Sequence, residues 1–328
     1  MLVITPNLTF DVTVALADLV PGTVSRADST ITSAGGKGVN VVRAATALGG
    51  TGIRLLGFLP EDDGARLADY LAGEHIEFIG VPLPGAVRVA TIILEHSGRV
   101  SVINGPGPQV LGEHWAQLMS RVAGALIPGE VIICSGSLPP GAPTDSYAQL
   151  TALGHTRGCP VIVDAAPAPL RAALAQRPDL VSPNLSEAEA MLFGRTDEVV
   201  DEVGPDVPER ALAAARALYE AGAARAVVTA GGSGAALCTA DGGWWLPAQP
   251  VRVVSPIGAG DSFAGAAGLA LAAGDAAVDV VRAGMAGGSA SCETAVAGRL
   301  DPIRASAIRA AITPVPAAEL PTADAAVR

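Results

Sequence analysis

The sequence predicts an α/β fold: a doubly wound, mainly parallel sheet flanked by helices, with a small antiparallel β lid. Three observations carry this prediction. Short runs that are apolar on both faces recur along the 328 residues. Segments with helical spacing separate them. Two further stretches alternate polar and apolar residues instead.

The apolar runs are residues 2–5, 131–134, 161–163, 180–181 and 226–229. Strands covered by helices on both sides have no polar face to show. Residues 40–48, 115–125, 144–153, 186–192 and 208–221 carry apolar positions at helical spacing. Alternating β and α implies crossover connections and a parallel sheet, with the ligand crevice beyond the carboxyl ends of the strands. Residues 12–32 and 87–103 alternate as antiparallel strands with one solvated face do. They are expected to pair as a small sheet over the main one, serving as a lid, a dimer surface or both. Near the end, residues 251–254 read as a strand and 265–273 as a tightly packed helix stopped by Gly274. Residues 1–313 are therefore taken as one domain. Residues 314–328, rich in Pro and Ala without apolar periodicity, are expected to form a frayed tail.

Composition narrows the function. Apolar residues make up 50% of the chain and mean hydropathy is +0.42. Charges break the apolar stretches before any reaches the ~18 residues of a membrane span. Met1-Leu2-Val3-Ile4-Thr5 reads as a first strand rather than a basic leader, so a cytoplasmic location is expected. Cys134, Cys159, Cys238 and Cys292 lie far apart, without metal-ligand spacing, and read as buried reduced thiols. Net charge is −11, with no basic cluster and 3% aromatics, which argues against a nucleic-acid partner. A small phosphorylated substrate needs only two or three local cations and stays open.

Six motifs fall at predicted strand ends. Ser255-Pro256-Ile257-Gly258-Ala259-Gly260-Asp261-Ser262 opens a helix with unscreened N–H groups, a place to hold phosphate. Asp261 there either takes a proton from a hydroxyl that attacks phosphorus or caps the helix. Ser33-Ala34-Gly35-Gly36-Lys37-Gly38-Val39-Asn40 offers backbone, a Lys and an Asn to a polar ligand, or is an ordinary strand-to-helix turn; its spacing is not that of a P-loop. Asn7-Leu8-Thr9-Phe10-Asp11 follows the first strand, where Asp11 can accept from sugar hydroxyls. Ser135-Gly136-Ser137 supplies hydroxyls and N–H groups, and Val228-Thr229-Ala230-Gly231-Gly232-Ser233-Gly234 suits phosphates and ribose. Pro183-Asn184-Leu185-Ser186-Glu187 either anchors Mg²⁺ through water or belongs to a helix cap involving Ser186 and Glu189.

Together these motifs resemble the PfkB (ribokinase-like) carbohydrate kinases over residues 2–312, essentially the whole chain. Asn7 with Asp11, Ala34-Gly35-Gly36-Lys37-Gly38, Arg88 and Ser135-Gly136-Ser137-Leu138-Pro139-Pro140-Gly141 are most similar to the phosphosugar branch: 1-phosphofructokinases, tagatose-6-phosphate kinases and the minor 6-phosphofructokinase. The resemblance implies that Asp11, Gly35, Gly36 and Asn40 hold sugar hydroxyls. Lys37, Arg88 and Ser137 would face the phosphate already on the sugar, with Arg26 a weaker candidate. Asn184 and Glu187 would organise Mg²⁺ through water. Thr229, Gly231, Gly234 and Ser289 would line the nucleotide with Asn184. Gly258, Ala259 and Gly260 would bind the transferred phosphoryl group, with Asp261 as general base. Closure of the lid would exclude water.

The implied reaction is ATP- and Mg²⁺-dependent phosphorylation of a ketohexose phosphate, first of all fructose 1-phosphate to fructose 1,6-bisphosphate, by a homodimer clasped through the lid. Tagatose 6-phosphate and fructose 6-phosphate are the alternative substrates. A non-catalytic sugar-phosphate sensor is the alternative of another class, and the intact Asp261 loop counts against it. Two departures from the family pattern stand out. Ser182 replaces a frequent Lys at a nucleotide contact. Pro256 replaces a frequent Thr, removing a hydroxyl and an N–H near a monovalent-cation site, so a K⁺ requirement stays open.

Overall fold

In the computed structural model, residues 1–194 and 204–320 are described. The strands are β1 (Leu2–Ile4), β2 (Thr9–Leu16), β3 (Ser29–Gly35), β4 (Arg54–Pro60), β5 (Glu77–Leu83), β6 (Arg88–Glu95) and β7 (Val100–Asn104). They continue with β8 (Ile132–Ser135), β9 (Val161–Asp164), β10 (Leu180–Val181), β11 (Ala226–Ala230), β12 (Gly234–Thr239), β13 (Gly242–Pro247) and β14 (Val315–Pro316). Ten of them form one sheet, in the order β14-β13-β12-β11-β10-β9-β8-β1-β4-β5. From β5 to β11 every neighbouring pair is parallel, and β12, β13 and β14 extend that edge antiparallel.

The sheet alternates its side chains between two helical layers. Leu2, Ile4, Ile132 and Val161 point into one core, with Trp115, Leu118, Tyr147 and Leu218. Val3, Leu55, Ile133 and Ile162 point into the other, with Val39, Leu71, Phe263 and Val280. The helices are α1 (Lys37–Ala47), α2 (Gly64–Gly73), α3 (Gly112–Ala125), α4 (Ser146–Thr156) and α5 (Pro167–Leu174). Beyond them lie α6 (Leu185–Phe193), α7 (Val207–Glu220), α8 (Ala259–Ala272), α9 (Ala277–Cys292) and α10 (Pro302–Ala311). Among the described residues no helix is long and apolar enough to cross a membrane.

Strand β1 lies between β4 and β8, so the chain winds outward from it in both directions. That reversal leaves a crevice outside the carboxyl ends of β1 and β8, where ligands bind in open α/β sheets. The lid is a four-stranded sheet in the order β3-β2-β6-β7. Its two outer pairings are antiparallel as expected, and the central β2–β6 pairing is parallel. A parallel pair needs a crossover, and here the crossover runs down through the main sheet, which ties the lid to the body.

Two local expectations are corrected. Residues 251–254 are not a strand: they run irregularly over the surface, with Val253 and Val254 more than half exposed. The backbone N–H of Val254 donates to the Cys292 carbonyl rather than to a sheet. The expected tail begins later than residue 314, because Val315 and Pro316 pair with Trp245 and Trp244. Pro can sit there because β14 is an edge strand. The remainder of that expectation, residues 321–328, lies outside the described residues.

Helix α8 decides where the chemistry can sit. It is apolar nearly all round and lies buried between α1, α9 and the sheet. Its approach to α1 depends on Gly265, where a Cβ would come 2.7 Å from the Val41 carbonyl oxygen. With the helix so fixed, its first turn opens into the crevice.

Candidate active site

A cleft of about 960 Å³ runs between the main sheet and the lid. Of the residues singled out from sequence, it is lined by Asp11, Gly36, Lys37, Asn40, Arg88, Ser137, Asn184, Glu187, Thr229, Gly231, Gly234, Gly258, Ala259, Gly260, Asp261 and Ser289. They come from segments far apart in the chain. Ser137, Asn184, Glu187, Thr229 and Gly231 follow or end parallel strands of the main sheet. Asp11, Lys37 and Arg88 come from the lid strands or the helix after them, and Asp261 and Ser289 from α8 and α9.

Asp261 occupies the first turn of α8, 6% exposed. Gly258 stands before the helix with φ +82°, a left-handed conformation, and a Cβ on it would come 2.8 Å from that of Ala297. Glycine satisfies both constraints. The first N–H groups of any helix have no partner within it, and here that turn lines the cleft, so the site offers donors and a concentration of positive charge. Burial pushes the Asp261 carboxyl up from its ordinary value to about 6; Lys37 opposes the rise and Asp164 adds to it. Asn40 Nδ2 donates to Asp261 Oδ2 at 2.8 Å. Asp261 makes no side-chain cap, so the capping alternative for this carboxylate falls away.

Lys37 opens α1, and its Nζ lies 3.2 and 3.3 Å from the two carboxylate oxygens of Asp164. The side chain remains 41% exposed, so the ammonium is fixed from behind yet reachable from the cleft. Asp164 raises the Lys37 pKa above its ordinary value, overcoming burial. Asp11, on β2, is raised to about 6 by burial, against the attraction of Arg43 and Arg88. Gly35 does not line the cleft; it carries the Asp11 carboxyl instead. A Cβ there would fall 2.1 Å from Asp11 Cγ. Arg88 Nε donates to the Asn7 carbonyl oxygen at 3.1 Å, and Asn7 Nδ2 donates to Ser137 Oγ at 3.1 Å. These contacts join Arg88 and Ser137 into one corner. Arg26 is exposed in an irregular segment between β2 and β3 and does not line the cleft of this chain.

The lining also includes glycines and small residues, together with apolar side chains such as Val251, Val253 and Met285. Thr229 ends β11, and its N–H donates to the Pro183 carbonyl. Gly234 takes φ +144°, and a Cβ there would sit 2.3 Å from the Leu246 carbonyl oxygen. Ser289 and Cys292 reach the cleft from α9. Cys238 and Cys292 are only partly buried, unlike Cys134 and Cys159, so the expectation of four buried thiols is corrected for those two.

Asn184 and Glu187 form a reciprocal cap at the start of α6. Asn184 Oδ1 accepts from the Glu187 N–H at 2.7 Å, and Glu187 Oε2 accepts from the Asn184 N–H at 3.1 Å. The capping alternative thus holds for this pair rather than for Ser186 with Glu189, which is paired with Arg210. Among the described residues no group of three His, Cys, Asp or Glu is placed to hold a metal. Mg²⁺ in phosphoryl transfer asks for less: one or two carboxylates, several waters and the substrate's own phosphates. The cleft offers such a donor set in Glu187 and Asp164. The cap occupies one Glu187 oxygen, and burial raises the Glu187 pKa. Asn184 fits less well as a ligand, since its amide oxygen is engaged by the cap.

Sequence reasoning missed Asp164 and the Arg43–Glu74 pair. Asp164 ends β9, and the strand-end rule that selected Ser137 and Thr229 applies to it equally. Arg43 and Glu74 carry no local signal, because their meeting depends on how α1 and α2 are each seated on β3 and β4.

Comparison with known proteins defines the class: an enzyme, a phosphotransferase with an alcohol group as acceptor, built on the ribokinase-like fold. Residues 7–303 match the pfkB family carbohydrate kinases, and the chain belongs to that family. It is 34% identical over 286 residues to a 1-phosphofructokinase of Xanthomonas campestris pv. campestris, covering 84% of this chain and 85% of that one. Phosphofructokinase-2 from Escherichia coli, solved in complex with potassium, superimposes with a TM-score of 0.84 at 28% identity, covering 94% of this chain and 98% of that one. A possible 1-phosphofructokinase from Thermotoga maritima has a TM-score of 0.81 over 96% of this chain and 98% of its own; at 22% identity it shows the shared fold.

Proposed function

We propose that this kinase phosphorylates a ketohexose phosphate with ATP, and that its substrate is fructose 1-phosphate, giving fructose 1,6-bisphosphate. The observation that carries the reading is Asp261 in the open first turn of α8, in one cleft with the cations Lys37 and Arg88. An Arg fork and a Lys point charge suit a phosphate dianion. The 1-phosphofructokinase relative supports fructose 1-phosphate as the first choice. The likeness to phosphofructokinase-2, one of whose structures is a complex with fructose 6-phosphate, makes that sugar the competitor, with tagatose 6-phosphate beside it.

In this reading Asp11 and Asn40 orient the sugar hydroxyls, while Lys37, Arg88 and Ser137 hold its phosphate. Asp261 takes the proton of the attacking hydroxyl, and the Gly258–Gly260 backbone receives the charge of the phosphoryl group in flight. Glu187, with Asp164, would hold Mg²⁺ through water; the ion supplies charge neutralisation on the phosphates. Thr229, Gly231, Gly234 and Ser289 line the nucleotide end. Pro256 leaves the loop without a hydroxyl at that position, and a K⁺ requirement is one outcome of the assay below.

The homodimer reading rests on the lid. Register puts Ile31, Ile92 and Val102 on one face, and Ile31 and Val102 are 64% and 48% exposed. A second lid clasped on this face would cover them.

The test is a coupled ADP-release assay with ATP, Mg²⁺, with and without K⁺, and fructose 1-phosphate, fructose 6-phosphate, tagatose 6-phosphate, fructose, ribose and adenosine as acceptors. Preference for fructose 1-phosphate, lost in Asp261→Asn, is expected. Turnover of unphosphorylated acceptors alone would overturn the roles of Lys37 and Arg88. Tight sugar-phosphate binding without turnover would favour a sensor. Light scattering of Ile31→Glu, expected to be monomeric, tests the dimer.

A further inference from the structure

We propose that Arg43, clamped by Glu74, is a positioning residue that fixes which end of the Asn40 side-chain amide faces Asp261. The inference rests on the assignment of Asp261 as the base. It follows from the hydrogen bonds Arg43 makes and from the fact that a guanidinium can only donate.

Arg43 lies one turn beyond Asn40 on α1, with its side chain 8% exposed. Its Nε donates to Glu74 Oε2 at 2.7 Å and its Nη2 donates to Glu74 Oε1. Nη2 also donates to the Ala34 carbonyl oxygen at 2.9 Å, at the end of β3. The remaining nitrogen, Nη1, donates to Asn40 Oδ1 at 3.1 Å. Glu74, just past the end of α2, therefore holds the plane of the guanidinium in a two-point contact. Its own pKa is lowered, first of all by these hydrogen bonds.

An Asn amide has two ends that differ chemically but hardly in shape. Turned one way, Asn40 gives an N–H to the Asp261 carboxylate. Turned the other way, it presents an oxygen to that carboxylate, and the two acceptors repel. Nothing on Asn40 itself selects between these. Arg43 does, because an oxygen facing Nη1 is bonded and an NH₂ group there meets another donor. Arg43 thereby acts on Asp261 without touching it. Because the same guanidinium reaches Ala34 at the end of β3, the selection is tied to the seating of the lid strand that also carries Gly35.

The charged groups acting on Asp261 come from three other elements: Lys37 on α1, Asp164 on β9 and Asp11 on β2. None of them depends on the Asn40 amide orientation. A change in Arg43 alters the hydrogen bond to Asp261, and where its charge is lost it also removes one of the two attractions on Asp11, an effect that Arg43→Lys leaves out. Losing a donor to the charged form raises a carboxyl pKa.

The test follows the Asp261 carboxyl carbon by ¹³C NMR titration in the full-length protein without substrates. The comparison is between wild type, Arg43→Lys, Arg43→Met, Asn40→Ala and the double variant Asn40→Ala/Arg43→Met. A wild-type midpoint near 6 is expected to rise in both Arg43 variants, since Lys keeps the charge without the fork. In the Asn40→Ala background, Arg43→Met is expected to add no further shift. Recovery of the wild-type midpoint by Arg43→Lys would reduce Arg43 to a distant charge and overturn the proposal. So would an unchanged midpoint in folded Arg43→Met, or fully additive shifts in the double variant. Should Arg43→Met fail to fold, Glu74→Gln serves, with a smaller rise expected and no rise overturning the idea. In turnover, the acid limb of kcat should move to higher pH in parallel. A wild-type protein without kinase activity would sink the functional reading and leave the carboxyl titration as a separate result.

Discussion

The two ends of the cleft are built on opposite principles. At the end assigned to the sugar phosphate, side chains hold one another: Lys37 against Asp164, Asn40 between Arg43 and Asp261, Asn7 on Ser137. At the end assigned to the nucleotide, the wall is strand ends, glycines and small residues such as Thr229, Gly234 and Ser289. The difference follows from what each end must do. Phosphoryl transfer is accelerated by placing charges and a base to within fractions of an ångström, so those groups are buried and cross-braced. A nucleotide is long and presents many polar atoms, and exposed backbone meets it well enough.

Breaking the braced end should therefore cost more than breaking the other. Asp261→Asn is expected to lower kcat about 10²–10⁴-fold, the usual loss for a general base, with the fold intact by circular dichroism. The wild-type pH profile should show the same group: a carboxyl raised to about 6 is a base only above that pH. Activity is thus expected to rise through pH 6 and to be lost below it.

The next effect in size is at Asp11. Gly35→Ala puts a methyl where the Asp11 carboxyl lies, and should cost about 10–100-fold in kcat/KM for the sugar phosphate, the loss of one hydrogen bond to a charged group. Steady-state kinetics with saturating ATP would show it, and an unchanged kcat/KM would deny Asp11 its role.

At the nucleotide end, Gly234→Ala combines φ +144° with a backbone clash at the Leu246 carbonyl. It should cost about 1–3 kcal/mol of stability, read by thermal melting, and raise KM for ATP more than that for the sugar. Ser289→Ala is expected to change KM for ATP by no more than about tenfold, the upper range for a single net hydrogen bond. A larger loss there would mean that the nucleotide end is braced too, and the contrast would fail.

The braced end should also carry a cost in stability, and its sign can be worked out. Asp261 has a folded pKa of about 6 against an ordinary 3.8. Between those values the folded state binds more protons than the unfolded state, so this group's contribution to stability falls as pH rises through that window. At neutral pH the buried carboxylate is a net burden of order 3 kcal/mol, at about 1.4 kcal/mol per pKa unit. Asp261→Asn should therefore melt at a higher temperature than wild type near pH 7.5, with the gain shrinking toward pH 4. A variant less stable at both pH values would contradict this account.

Much of the fold was legible because each signal is local. Runs such as Val161-Ile162-Val163 are apolar on both faces because helices cover them, and Gly274 ends α8 in the left-handed conformation, φ +79°, that glycine adopts freely. The parallel order of the main-sheet strands gathers the ends that carry Ser137, Asn184 and Thr229. Asp11 and Lys37 reach the crevice from the lid and the helix after it, and Asp261 from α8, legible in the sequence only through their motifs. Residues 251–254 misled because a β-branched run supplies strand propensity without a neighbour to pair with, and propensity yields to context.

The sequence by itself determined the elements, the crevice and the residue types facing it, since periodicity, capping and glycine placement are short-range properties of the chain. Only the tertiary structure decided how those residues hold one another. Asp164 behind Lys37, Gly35 beneath Asp11 and Glu74 clamping Arg43 over Asn40 are contacts between elements 24 to 127 positions apart. Their partners are chosen by helix packing and strand register, which no local pattern records.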